Sequence, residues 1–65
     1  MHDADQQRYH LTVTIDGRPV VHGWWSDQAT ADRKYRGWIG DYGSRSGARV
    51  TLTDTATGEQ LAAWP

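Results

Sequence analysis

A chain of 65 residues with a formal net charge of −1 and no cysteine is long enough for one small domain. The lack of cysteine excludes disulfides and thiolate metal sites, and the low net charge argues against a polyelectrolyte that binds nucleic acid or membrane surfaces. A domain this small is expected to rely on aromatic packing and self-association for stability, and four tryptophans and three tyrosines suit both.

The sequence contains no targeting or membrane signal. No apolar run approaches the ~20 residues that a membrane-spanning helix needs, and residues 1–7 are polar throughout. We therefore expect a disordered tail over residues 1–7, a single domain over residues 8–65, a cytoplasmic location and no membrane partner. The basic residues are six arginines and one lysine, which suggests GC-rich bacterial coding.

The first two predicted elements are strands joined by a tight turn. Apolar and polar residues alternate over residues 8–16, which is typical of a half-buried strand. Asp16-Gly17 supplies the dipeptide of a hairpin turn. A second strand is predicted over residues 18–25, and Pro19 indicates an edge position.

The pairing of this hairpin has two solutions. A two-residue turn pairs Val13 with Val20, and the inward residues are then Val20, His22 and Trp24. A three-residue turn with a glycine bulge shifts the pairing by one residue, and the inward residues are then Val21, Gly23 and Trp25. The second solution is favoured because it leaves His22 in solvent. In either case one of Trp24 and Trp25 lies on the face away from the helix, because adjacent strand residues point to opposite faces.

The middle of the chain carries a helical pattern. Ser26 or Asp27 is the expected N-cap, and Gly43 is expected to end the helix. Gly37 and Gly40 lie within it, each at a cost of about 1 kcal/mol relative to alanine. The apolar stripe that should pack on the sheet is Gln28, Ala31, Tyr35, Trp38, Ile39 and Tyr42.

Two further strands are expected after the helix, over residues 48–54 and 59–64. A four-residue loop between them pairs Leu52 with Leu61. The same pairing sets Arg49 opposite Trp64 on the outer face of the sheet.

These elements predict an α+β fold of ββαββ topology, a four-stranded antiparallel sheet with one helix packed on one face. One helix covers only one face, so the other face is open, rich in threonine and furnished with two large aromatic rings. The residues expected on it are His10, Thr12, Thr14, Trp24 or Trp25, Arg49, Thr51, Thr53, Gln60, Ala62 and Trp64.

The open face predicts a protein interface, because exposed tryptophan with arginine is typical of interface hot spots. The expected interface residues are Trp24, Trp25, Arg49, Thr51 and Trp64. The favoured function is a small non-catalytic interaction module that forms a homodimer or binds another protein. The competing interpretation is that a twisted sheet lets Trp24 and Trp64 cover each other or the tail.

A basic segment gives the alternative function. Residues 33–49 hold five basic residues and one acidic residue, interleaved with Trp and Tyr. Because nucleic-acid-binding surfaces combine basic and aromatic residues, a nucleic-acid-binding regulator is the alternative. Its candidate residues are Arg33, Lys34, Arg36, Arg45 and Arg49.

Catalysis and metal binding receive little support from the sequence. His10 and His22 share the open face in the favoured pairing, but two imidazoles without a carboxylate or thiolate make an incomplete metal site. No nucleophile elbow, phosphate-binding loop or paired carboxylates on one face are present. We expect a protein that is not an enzyme and that uses no cofactor.

Overall fold

The computed structural model describes residues 7–65, and its regular elements follow the predicted order. They are β1 (Tyr9–Ile15), β2 (Arg18–Trp25), α1 (Gln28–Tyr42), β3 (Ala48–Asp54) and β4 (Glu59–Trp64). The predicted α+β fold of ββαββ topology is confirmed. The tail expected over residues 1–7 lies, for residues 1–6, outside the described part of the chain.

The strands form one antiparallel sheet in the order β2-β1-β3-β4, which the sequence left open. Helix α1 connects the edge strand β2 to β3, and β3 pairs with the far side of β1. Leu11 pairs with Leu52 and Val13 with Val50 across the central strands. All four side chains are at most 2% exposed, so the two central strands form the floor of the core.

Helix α1 covers one face of this sheet. Ala31 is fully buried against it, as the predicted stripe requires. The remaining stripe residues are partly buried and pack on the same core: Tyr35, Trp38, Ile39 and Tyr42. Gln28 was expected in this stripe but is exposed, because it is the first helical residue and extends beyond the sheet contact.

A capping hydrogen bond is present at each end of α1, from a side chain at the first and from the backbone at the last. Of the two expected N-caps, Asp27 is the one observed, and its carboxylate accepts hydrogen bonds from the Thr30 backbone N–H at 2.8 Å and hydroxyl at 3.0 Å. At the other end Gly43 N–H donates to the Ile39 carbonyl at 2.7 Å. Gly43 keeps a right-handed φ of −64°. Glycine is needed there for space, since a Cβ would lie 2.9 Å from Trp64 Cη2.

The first hairpin adopts the favoured pairing by an unexpected route. Asp16 and Gly17 have φ of 54° and 83°, so the turn contains two residues and no bulge. The extra residue is Val20 within β2, which shifts the pairing so that Val13 lies opposite Val21. The inward residues are therefore the favoured ones: Val21, Gly23 and Trp25.

The second hairpin differs from the prediction. Leu52 pairs with Ala62 and Val50 with Trp64, so the predicted pairing of Leu52 with Leu61 is wrong. Leu61 is the extra residue of a bulge near the turn. The bulge allows Leu61 and Ala62 both to pack on the core, which a regular alternation of side chains does not.

This one-residue shift changes which face each residue of β4 occupies. Trp64 and Ala62 pack on the helix side, and Ala63 lies on the opposite face beside Thr51. The expected pairing of Arg49 with Trp64 across the outer face is therefore wrong. The large indole is favoured on the helix side because it removes much apolar area from water there.

The buried carboxylate of Asp54 joins the residue before β1 to the turn after β3. Arg8 donates to both oxygens of Asp54 at 2.7 Å each, and Ala56 N–H donates to the same carboxylate at 3.0 Å. These bonds, led by the one from Arg8, hold the pKa of Asp54 below its ordinary value. Asp54 is only 6% exposed, so the ion pair closes this end of the sheet.

Candidate interaction surface

The face of the sheet opposite α1 is the open face. Alternation along the four strands determines its members, and threonine predominates among them. They are His10, Thr12, Thr14, Pro19, His22, Trp24, Arg49, Thr51, Thr53, Gln60 and Ala63. Helix α1 packs on the other face, so these side chains form a surface of the described chain rather than part of its core.

Three aromatic side chains form a compact group on this face, which we call the Trp24 cluster: His10, His22 and Trp24. The imidazole of His10 stacks on the Trp24 indole, with ring centroids 4.1 Å apart and planes 17° from parallel. His10 Nε2 lies 3.0 Å from His22 Nδ1, and the two imidazoles are nearly perpendicular. Trp24 is 42% exposed, so its outer ring surface faces solvent.

The strand pairing explains why these three side chains meet. His10 lies directly opposite Trp24, and Thr12 lies directly opposite His22, so His10 and His22 are diagonal neighbours on one face. The Thr12 hydroxyl lies 3.4 Å from His10 Nε2. The bulge at Val20 is essential, because without it the even-numbered residues of β2 would point toward the helix.

Two features describe the electrostatics of the open face. Burial, and then the neighbouring charge of His22, lower the pKa of His10, which favours its neutral form near pH 7. No carboxylate is among the open-face residues of the described chain, and Arg49 is their one permanent cation. The Trp24 cluster is therefore an aromatic patch with no carboxylate and no permanent cation among its own side chains.

The predicted interface residues are divided between the two faces. Trp24, Arg49 and Thr51 lie on the open face as expected. Trp25 folds over Gly23, where a Cβ would come within 2.5 Å of the indole, and it meets Trp38 edge-on at 5.7 Å.

Trp64 packs against the end of α1, on the opposite face from Trp24. The first form of the competing interpretation, that Trp24 and Trp64 cover each other, is therefore wrong. Its second form, packing on the tail, involves residues 1–6, which lie outside the described part of the chain. The partner of Trp24 is instead His10, which in turn contacts His22. The favoured pairing already placed His10 and His22 on one face. Their positions on neighbouring strands, with His10 directly opposite Trp24, were the signal that could have grouped the three residues.

The candidate nucleic-acid residues do not form one surface. Arg33, Lys34 and Arg36 are exposed on α1, and Arg36 pairs with Asp32 one turn away at 3.0 Å. Arg45 follows the helix in an exposed loop, whereas Arg49 lies on the open face. Because the helix and the open face are on opposite sides of the sheet, a single duplex surface does not reach all five. The nucleic-acid alternative stays a prediction.

Comparison with known proteins supplies no relative. No protein-family model matches the chain, and neither the curated proteins nor the solved structures contain a match.

Within residues 7–65, no three side chains of His, Asp or Glu are grouped as they would be around a metal ion. The helix of this range is too short and too polar to cross a bilayer. The open face is therefore the feature of the described chain that points to a function.

Proposed function

We propose that this chain is a small non-catalytic interaction module that forms a homodimer through its open face. The observation that carries the proposal is the indole of Trp24, exposed on a sheet face that α1 leaves uncovered. Tryptophan is among the residues most enriched at interface hot spots. Stacking on His10 holds this indole in place, so association costs little side-chain entropy.

The edges of the sheet are less suitable for association than its open face. In β2, Pro19 has no N–H to donate, and the bulge at Val20 interrupts the row of backbone groups. In β4, the bulge at Leu61 does the same on the other edge. Bulges and proline on edge strands oppose strand addition, which favours pairing of two open faces.

The open face is small for a protein interface. Four strands spaced ~4.8 Å apart and about seven residues long give a face of roughly 20 by 23 Å, or about 450 Å². This is smaller than the ~800 Å² that each partner contributes to a standard interface. We therefore expect a weak dimer, with a dissociation constant of about 1 to 100 µM.

The cytoplasmic location and bacterial source expected from the composition belong to this proposal. A small domain without cysteine gains nothing from an oxidising compartment, because it has no disulfide to form.

Sedimentation equilibrium over about 1 to 200 µM, a range that spans the expected dissociation constant, tests the proposal. Trp24→Ala should weaken the dimer at least ~30-fold, the equivalent of a hot spot of about 2 kcal/mol, and should leave the circular dichroism spectrum unchanged.

The matched control is Trp64→Ala, which removes the same side chain from the opposite face. It should lower the unfolding temperature and leave association of the folded protein unchanged. If Trp64→Ala fails to fold, Trp64→Phe is the control. A wild-type protein that stays monomeric throughout this range, or a Trp24→Ala variant that associates like wild type, contradicts the proposal.

A further inference from the structure

The Trp24 cluster holds two imidazole nitrogens at a separation close to that of two nitrogens bound to one ion. His10 Nε2 and His22 Nδ1 form a hydrogen bond of 3.0 Å across neighbouring strands. Zinc binds imidazole nitrogen at ~2.0–2.1 Å, and two such nitrogens at a tetrahedral angle are about 3.3–3.4 Å apart. An ion would need the two nitrogens to separate by about 0.3–0.4 Å and the two lone pairs to turn from each other toward the ion by about 35° each.

The side chain of His22 has more conformational freedom than that of His10, and this difference permits the two nitrogens to adjust to an ion. Stacking on Trp24 fixes the plane of the His10 ring. His22 is exposed on the edge strand, so its ring can tilt until its lone pair points at the ion. One ligand is preorganised by an aromatic neighbour and the other is adaptable.

The protonation state also suits a metal ligand. A ligating imidazole must be neutral and must offer a lone pair to the ion. In the hydrogen bond between the rings, one of the facing nitrogens carries a proton. That proton can move to the other nitrogen of the same ring, so both facing nitrogens then offer lone pairs without net release of a proton.

One chain supplies only half of a closed site. Structural zinc sites have four ligands, and residues 7–65 group no third His, Asp or Glu with this pair. In a symmetric dimer a two-fold axis through the ion brings the same two histidines from the second copy. Packed sheets lie ~10 Å apart, so the ion would lie about 5 Å from each sheet, within reach of an imidazole.

We propose that His10 and His22 form half of a four-histidine site for a zinc-type divalent cation, completed by the same pair of a second copy. This inference rests on the proposed function, because it needs two open faces to meet. It places the two-fold axis at the Trp24 cluster rather than at the centre of the sheet. The ion would therefore strengthen an interface that is small by itself.

The test adds zinc chloride to the full chain after treatment with a chelator, near pH 7.5. Calorimetry should give one zinc ion per two chains, and sedimentation should show the dimer dissociation constant falling at least tenfold. Histidine ¹⁵N spectra should report ligation at Nε2 of His10 and at Nδ1 of His22. These atoms are specific to the proposed geometry, so the spectra separate it from loose surface binding.

Two variants keep the result interpretable. His22→Asn should lose the zinc response, measured as the ratio of its dimer dissociation constants without and with zinc. His2→Asn, which removes the histidine that lies outside the described residues, should keep the wild-type zinc response and the metal-free dimer.

The outcomes separate this inference from the proposed function. A metal-free dimer that zinc does not tighten overturns the metal site and leaves the proposed function standing. A chelated protein that is monomeric but dimerises with half an equivalent of zinc supports the site and contradicts a metal-free module. Zinc bound at one ion per chain without association, or a full zinc response in His22→Asn, overturns the shared site.

Discussion

Two glycines in the interior of α1 offer a direct test of how the helix is stabilised. Gly37 and Gly40 are exposed, and a Cβ built at either would meet no atom within 4 Å beyond the helix itself. Alanine at these positions therefore adds no clash. It removes the excess conformational freedom that glycine has in the unfolded chain, which is worth about 0.8–1.0 kcal/mol at each position.

The double variant Gly37→Ala, Gly40→Ala should gain about 1.5–2 kcal/mol of unfolding free energy. For a domain of this size that gain raises the unfolding temperature by roughly 6–16 °C. The measurement is thermal and urea unfolding by circular dichroism in a chelator, at equal chain concentrations, because dimerisation also shifts the transition. Helix α1 lies opposite the open face, so association should be unchanged.

Gly43 is the matched control for this prediction. A Cβ there would contact the Ile39 carbonyl oxygen and lie 2.9 Å from Trp64 Cη2, so Gly43→Ala should lower the unfolding temperature. A double variant no more stable than wild type would refute the reasoning that the two helix glycines are free of packing. A Gly43→Ala variant as stable as wild type would refute the close approach of Trp64 to the helix end.

Acid should destabilise the fold in two separate pH ranges. The Arg8 guanidinium keeps the pKa of Asp54 below the ordinary 3.8. The stability from this pair is thus complete above about pH 4 and is lost as the pH falls through the depressed pKa. Asp54→Asn should lower the unfolding free energy at neutral pH and reduce its fall below pH 4; an undiminished acid slope would contradict this. The pKa of His10 is also lowered, so the unfolded chain binds more protons between that pKa and about 6.5. Stability should therefore fall as the pH drops from about 7 toward 5, and urea titrations should show this slope absent in His10→Gln. A slope unchanged in that variant would assign the effect elsewhere.

The order and type of the elements were predictable because local patterns determine them. Alternation over β1 and β3, the Asp16-Gly17 turn and the helical stripe are each visible within a few residues. The division of Trp24 and Trp25 between two faces followed from the period of a strand. The favoured inward residues of the first hairpin were correct, whereas the predicted three-residue turn is a two-residue turn followed by a bulge at Val20.

The members of the open face were less predictable, because two bulges decide them. An extra residue at Val20 or Leu61 leaves the alternation of side chains intact before and after it. The residues that follow it, however, point to the opposite face from the one they would occupy without it. The prediction assumed no bulge in β4, so it placed Trp64 on the wrong face. It also treated His10 and His22 apart from Trp24, although their pairing brings all three together.

Residues close in the chain are sufficient to predict a helix with one apolar stripe and strands with alternating polarity, because these patterns are local. The position of the extra residue in each strand depends instead on which large side chain fits against the helix, and packing of the whole domain settles that choice. Trp64 packs beside Gly43, and Trp24 lies on the open face in the same cluster as His10 and His22. Competition for space under one helix is the physical reason that a single indole remains exposed on the other side.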